Sequence, residues 1–359
     1  MKRFWPFSVI CLSVAILWPG NPRAAILAVH PDGSGPYPTI QAAVDTSVAA
    51  DIVELTDGIF SGPGNRDIDY QGKAITIRSQ SGNAETCVID CDGASRAFDF
   101  WNGETSSSIL EGVSVVHGIA GGTNIQGWGG AILCLGSGPT IRNCRFSANR
   151  ATETGGAIAV KGNLSQPVTI TDCSFDHNHT GICSQCDGGG AIAVSWSGSA
   201  QVERCEFSED QAVGGEILCQ DSSQLTLVDC AVSVSIWAAV QCIDGSSVAI
   251  DGCTLAWIAG DGLVVLESNS TAVIRNTILA FGWGSAEAVH CDDTSSASLF
   301  CCDVYGCSGG DYVGCLSGMQ GVSGNVSVDP LFCGEGNVLL CSDSFCLPAH
   351  NSCGVRIGA

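Results

Sequence analysis

The sequence predicts an all-β fold: a single-stranded right-handed parallel β-helix, a solenoid, with a helix over its N-terminal end. Three observations predict it. One phrase recurs as Gly129-Gly130-Ala131-Ile132, Gly155-Gly156-Ala157-Ile158, Gly189-Gly190-Ala191-Ile192 and Gly214-Gly215-Glu216-Ile217. A second alternates with it as Ile141-Arg142-Asn143-Cys144-Arg145-Phe146, Ile170-Thr171-Asp172-Cys173-Ser174-Phe175 and Val202-Glu203-Arg204-Cys205-Glu206-Phe207. From Val113 through Cys144, Cys173, Cys205, Cys230, Cys253 and Thr277 to Cys302 the spacings are 31, 29, 32, 25, 23, 24 and 25. A repeat of that size marks units too small to bury their own apolar face, so neighbours must stack. The units hold short β-rich runs between Gly, Ser, Asn and Asp, with no long 3.6-residue periodicity. Each unit therefore reads as one coil, and parallel crossovers are right-handed in ~98% of cases.

The elements follow in order. Residues 1–25 read as a secretory signal peptide: Lys2 and Arg3, an apolar run from Phe4 to Trp18, then small Ala24 and Ala25. The run is shorter than the ~20 apolar residues of a membrane span. Ile26 to Val29 reads as a strand. Thr39–Ala49 reads as the capping helix, with Thr39 as N-cap and Ile40, Ala43, Val44 and Val48 on its apolar face. Asp51 to Leu55 and Ala74 to Arg78 alternate as strands. Residues 26–328 form the solenoid, and 329–359 form a cysteine-rich C-terminal cap. The Gly doublets before each strand answer a need for positive φ or a tight corner. No Lys-Ser/Thr follows them, so they are not phosphate loops.

The formal net charge is −22. Without the leader, 36 acidic residues face 11 basic ones. Such a surface repels nucleic acid and anionic lipid. There are 22 cysteines. Cys144, Cys173, Cys205, Cys230 and Cys253 share one repeat position, which predicts a buried thiol ladder behaving as small hydrophobes. Cysteines outside that register are the disulfide candidates, because export permits disulfides. In the tail, Cys333 pairs with Cys341 and Cys346 with Cys353 on this reading, each pair bracketing a short loop.

The Gly-Gly-Ala-Ile phrase, alternating with Phe146-Ser147-Ala148-Asn149 and Phe175-Asp176-His177-Asn178, resembles the repeats of bacterial polymorphic outer-membrane proteins. Phe207-Ser208-Glu209-Asp210 departs at its last residue. Thr39-Ile40-Gln41-Ala42-Ala43 and Asp329-Pro330-Leu331-Phe332 resemble secreted bacterial β-helix proteins of the pectin-lyase-like group. The resemblance implies the β-helix fold and an extracellular or cell-surface place in a bacterium.

Enzymatic motifs of that group do not follow. A lyase needs a base beside a uronate whose carboxylate is neutralised. The nearest basic candidates, Lys161 and Arg145, lack a matching carboxylate trio. A hydrolase needs paired carboxylates, and Asp292-Asp293 stands alone. His177-x-His179 with Cys183-x-x-Cys186 has zinc-like spacing, but in an exported chain such cysteines read as disulfides. No metal and no cofactor are expected, and the catalytic residues remain unknown. Trp128 and Trp196, beside loops, are the candidates for stacking on sugars; Trp101 is a further one. The expected function is non-catalytic adhesion or glycan or protein binding by a monomer, with extracellular polysaccharide or a surface protein as partner. The alternative is a polysaccharide lyase or glycoside hydrolase on the same fold.

Overall fold

A computed structural model of the chain describes residues 24–162, 166–181, 188–212, 214–334 and 337–359. Most of the expected leader, together with Cys183 and Cys186, lies outside these residues. The chain winds as a right-handed parallel β-solenoid with three long sheets. Sheet A has 11 strands, from Ile26–Val29 to Ser296–Phe300. Sheet B has 10, from Gly58–Phe60 to Asp303–Tyr305, and sheet C has 9, from Ile68–Asp69 to Glu287–Cys291. A small sheet of Ile119–Ala120, Arg150–Ala151 and His179–Thr180 lines the corner between B and C.

The repeat phrases stack on themselves. Ile132, Ile158, Ile192 and Ile217 are register partners in sheet C, as are Ile141, Ile170 and Val202 in sheet A. Phe146, Phe175 and Phe207 stack in sheet B with ring centroids 5.1 and 4.7 Å apart. Parallel strands sit ~4.8 Å apart, so a side chain repeated in each coil meets its own copy and builds a continuous core. Gly155 takes φ +68°, and a Cβ on Gly156 would run into the Gly190 carbonyl of the next coil. The doublet thus needs one glycine for conformation and one for close approach.

At the A-to-B corner, Asn143, Asp172, Arg204 and Asp229 turn through φ of +51° to +54°. The cysteine that follows each turn is buried. Cys144 N–H donates to Cys173 Sγ (3.5 Å), Cys173 N–H to Cys205 Sγ (3.4 Å) and Cys230 N–H to Cys253 Sγ (3.4 Å). Each thiol also reaches the carbonyl two residues back, as Cys173 does to Thr171 (3.2 Å). All five thiols are free. The ladder continues in other chemistry: Cys253 N–H donates to Thr277 Oγ1 (3.2 Å) and Cys302 N–H to Asn325 Oδ1 (3.1 Å). The position therefore selects a small acceptor for a corner N–H, as well as an apolar filler. A serine ladder, Ser223, Ser246 and Ser270, does the same at the C-to-A corner.

The N-terminal helix is Ile40–Thr46, shorter than expected. Thr39 Oγ1 accepts from Ala42 N–H, and Ile40, Ala43 and Val44 are buried. Ser47 N–H reaches back to Ala43 and Val44 carbonyls and ends the helix, which leaves Val48 exposed. The tail also corrects an expectation. Cys333 and Cys341 are bonded, but Cys353 pairs with Cys301, and Cys346 is a free buried thiol. Cys346 is 3.2 Å from Asp303 Oδ2. The reason is the path of the tail. It runs back across the last coils, with Ile357 buried against Ile278 and Ala280 and Gly358 N–H donating to Asn276 O (2.7 Å). That path lays Cys353 over the Cys301 turn, a neighbour distant in sequence. Cys291–Cys315 ties the 3-10 turn Gly314–Leu316 to sheet C.

Two outcomes are expected. Cys205→Ser keeps an acceptor for Cys173 N–H and a donor for the Glu203 carbonyl, so it should cost at most about 1 kcal/mol in urea unfolding, whereas Cys205→Ala orphans that N–H and should cost about 1–3 kcal/mol. Equal costs would remove the hydrogen-bonding role of the ladder. Peptide mapping without reduction should recover Cys301 joined to Cys353 and Cys346 as a thiol; a Cys346–Cys353 peptide would overturn this path for the tail.

Candidate functional site

Sheet C carries the strongest side-chain constellation. Strands Ile132–Leu135, Ile158–Lys161 and Ile192–Ser195 pair so that Leu135, Lys161 and Ser195 form one row. Lys161 is only 3% exposed. Its Nζ lies 4.0 Å from the Trp128 ring centroid and 5.0 Å from that of Trp196. The two indoles meet edge to face at 84°, with centroids 4.7 Å apart. The two tryptophans singled out from the sequence thus come together, and around one of the chain's few lysines. A cation over an indole face is attracted by the ring quadrupole, most strongly where water is excluded.

Each member is held from a different place. Trp196 and Ser197 take φ of +59° and +58°, turning the chain sharply after strand Ile192–Ser195. Its indole stays 51% exposed. Trp128 is buried, and its Nε1 donates to Glu153 Oε2 (2.6 Å). The other Glu153 oxygen accepts Asn124 N–H (2.9 Å). Arg96 fastens the same loop: it pairs with Asp99 (2.9 Å) and donates to the carbonyls of Gly129, Ile125 and Trp128. Lys161 makes no ion pair among the described residues, and burial pulls its ammonium down to about 8, against the opposing charges of Asp221 and Glu153. Trp101 follows Phe100, the register partner of Cys134; it is 43% exposed and bonds Asp69 Oδ2 (3.3 Å).

The other candidates stay apart. Arg145 pairs with Glu85 (2.8 Å) on the A-to-B corner, beside Arg204, which grips Asp172 through two bonds of 2.7 and 2.9 Å. Lys161 and Arg145 share no site. Asp292 accepts from Ser268 and Thr294 N–H groups and shapes a turn. His177 spends its ring nitrogens on Asp176 (2.6 Å) and Glu209 (2.8 Å), while His179 has a buried Nδ1 without a partner among the described residues. The cysteines completing the zinc-like pattern lie outside the described residues.

One cluster was missed from the sequence. The Phe-x-x-Asn residues form a buried amide ladder at the B-to-C corner. Asn149 Nδ2 donates to Asn178 Oδ1 (2.9 Å), and Asn178 Nδ2 to Asp210 Oδ1 (2.8 Å). Asp210 stands where the phrase has Asn, and Glu216 stands where the other phrase has Ala. These two departures face each other, both buried, with Asp210 Oδ2 and both Glu216 oxygens lacking hydrogen-bond partners among the described residues. Burial pushes Asp210 up to about 7 and Glu216 upward as well, so both carboxyls favour their protonated forms. The signal was present in the sequence: both exceptions fall in one coil.

The match to a family model agrees with the fold. A family model described as a right handed beta helix region matches residues 214–329. Among solved structures, ORF18 of Geobacillus virus E2 is similar at 14% identity and TM-score 0.42, over 76% of this chain and 62% of that one. Pectin methylesterase from carrot is similar at 12% identity and TM-score 0.39, over 84% and 88%. The alginate lyase AlyF-OU02, solved with G6, is similar at 13% identity and TM-score 0.37, over 79% and 64%. The chain thus spans under two thirds of the first and third of these. No curated protein matches the chain.

The acid pair makes a prediction. Both carboxyls hold their proton more tightly in the folded chain than in the unfolded one, where they titrate near ~4. The native state then binds more protons than the unfolded state, so stability falls as pH rises. The stabilisation is full below about pH 4 and is lost as pH climbs through about 7. Asp210→Asn and Glu216→Ala each return the coil to the repeat pattern. Each should flatten that fall between about pH 5 and about pH 8 in urea titrations. An unchanged slope in both variants would show that neither buried carboxyl holds its proton more tightly in the folded chain.

Proposed function

We propose that this protein is a secreted or cell-surface β-helix that binds extracellular glycan without transforming it, through Trp196, Trp128 and Lys161. The observation that carries the reading is the indole pair closed around a buried lysine. Half of Trp196 faces water at the turn that follows strand Ile192–Ser195, and the edge-to-face contact with Trp128 holds its ring in place. A flat apolar ring face with a polar rim suits the C–H face of a sugar. Lys161 is sealed beneath the rings, so it fixes the platform and cannot take a proton from a substrate unless Trp196 moves. The net charge of −22 favours a neutral glycan over a polyanion. The disulfides support an oxidising, extracytoplasmic setting, as does the leader-like start of the sequence. No helix among the described residues is long and apolar enough to cross a membrane.

One observation favours the alternative, a carbohydrate-active enzyme: a lysine whose ammonium titrates near about 8 is a serviceable base close to neutral pH. Affinity electrophoresis against a panel of polysaccharides, run alongside assays for released reducing ends and unsaturated uronates, separates the two. Binding without product is expected. Trp196→Ala should weaken it about tenfold with the melting temperature kept, and Trp196→Tyr should retain most of it. Product release lost in Lys161→Met would establish the enzyme instead. Binding indifferent to Trp196 would sink the platform.

A further inference from the structure

Trp196 stands at a corner that asks for a different residue. Successive coils turn from sheet C toward sheet A through pairs of left-handed residues: Trp196 and Ser197, Asp221 and Ser222, Asp244 and Gly245, Ser268 and Asn269, with φ from +55° to +71°. The corners stack. Ser197 N–H donates to Asp221 O (2.9 Å), Ser222 N–H to Asp244 O (2.9 Å) and Gly245 N–H to Ser268 O (2.7 Å). Aspartate, asparagine and glycine tolerate this backbone, through a local side-chain bond or the lack of a Cβ. A bulky residue there is an outlier. Such strain persists only where the surroundings over-determine it.

The surroundings of Trp196 are the Trp128 ring and Lys161. The sheet fixes where Lys161 starts: its carbonyl accepts from Gly136 N–H (2.8 Å), and its row neighbours are Leu135 and Ser195, neither charged. Its Nζ reaches 4.0 Å from one ring centroid and 5.0 Å from the other, sealed from water. Two carboxylates face it. Glu153, beside the bridge of Trp128 to Thr154, spends its oxygens on Trp128 Nε1 and Asn124 N–H. Asp221 lies on the corner one coil beyond Trp196. Arg96 and Asp99, which hold the Trp128 loop, pair with each other. With no ion pair among the described residues, the ammonium is balanced chiefly by the two indoles. A buried ammonium so placed yields its proton more readily than one in water. The neutral amine left behind does not attract a ring quadrupole, so the contact that offsets the strained turn goes with the proton.

We infer that Lys161 is a proton switch for the Trp128–Trp196 platform: its ammonium locks the two rings in their edge-to-face contact, and loss of the proton in alkali frees the Trp196 ring and lowers the affinity for a neutral glycan. The inference rests on the glycan-binding reading for what the switch controls, while the ring contact itself is testable without a sugar.

Near-ultraviolet circular dichroism of the full chain reports the fixed indole pair. Its signal should fall with a midpoint at about pH 8. The fall should be absent from Lys161→Met, which keeps an unbranched apolar stem and has no proton to lose. Asp210 and Glu216 are common to both chains, so the difference between them reads Lys161 alone. Trp196→Ala, at a half-exposed position, should fold as the wild type does and lack the titrating signal as well. Calorimetry with cellohexaose, xylohexaose and mannohexaose should show binding about tenfold tighter at about pH 6.5 than at about pH 9.5, and weak and level binding by Lys161→Met. A signal that does not titrate, or that titrates equally in Lys161→Met or Trp196→Ala, overturns the switch. A hexasaccharide bound equally at both pH values overturns it too and leaves the platform standing. A signal that titrates as expected while none of the three sugars binds overturns the glycan-binding reading and leaves the proton switch of the rings.

Discussion

The structure depends on one constraint: successive coils lie in register, so every residue sits ~4.8 Å from its counterpart above and below. Apolar positions profit directly, since Ile over Ile and Phe over Phe leave no gap and need no partner from elsewhere in the chain. Polar positions are constrained more tightly. At each corner the sheet hydrogen bonds lapse, and a backbone N–H would be buried unpaired. The chain answers with a side-chain acceptor from the next coil: a thiol at one corner, an amide at the second, a hydroxyl at the third. A buried N–H left without a partner costs about 1–3 kcal/mol, so these ladders matter as much as the apolar stacks.

Ladders of identical groups must end somewhere, and their ends are where the chemistry changes. The amide ladder passes from Asn149 to Asn178 and stops at Asp210, whose second oxygen has no amide to meet and faces Glu216 instead. The thiol ladder gives way to Thr277 and then, one coil beyond Cys302, to Asn325, each still presenting an oxygen to the N–H behind it. Asn178 and Asn325 also begin glycosylation triplets, yet both are buried and committed to ladders. Repetition also shapes the sites. A regular sheet offers flat rows, and recognition begins where the rows are interrupted. Trp196 leaves sheet C through two left-handed residues, and Arg96 pins the loop bearing Trp128.

The fold was legible in the sequence because a solenoid is the case in which local pattern and tertiary contact coincide. The spacing of Cys144, Cys173, Cys205, Cys230 and Cys253 measures the coil, and stacking neighbours are simply consecutive repeats. Trp128 and Trp196 were legible as tryptophans beside loops. The repeat pattern did not show that they meet around Lys161, because that contact depends on a turn at Trp196 and on an anchor, Arg96, some thirty residues before Trp128.

What the sequence by itself determined is the coil, its register and the burial of its repeated positions, since these follow from side chains meeting copies of themselves. What only the tertiary structure decided lies where a residue meets something other than its copy. Cys353 reaches Cys301 because the tail runs back over the last coils, and nearness in sequence pointed it to Cys346. Asp210 meets Glu216 because two exceptions to two different phrases turn inward at one corner.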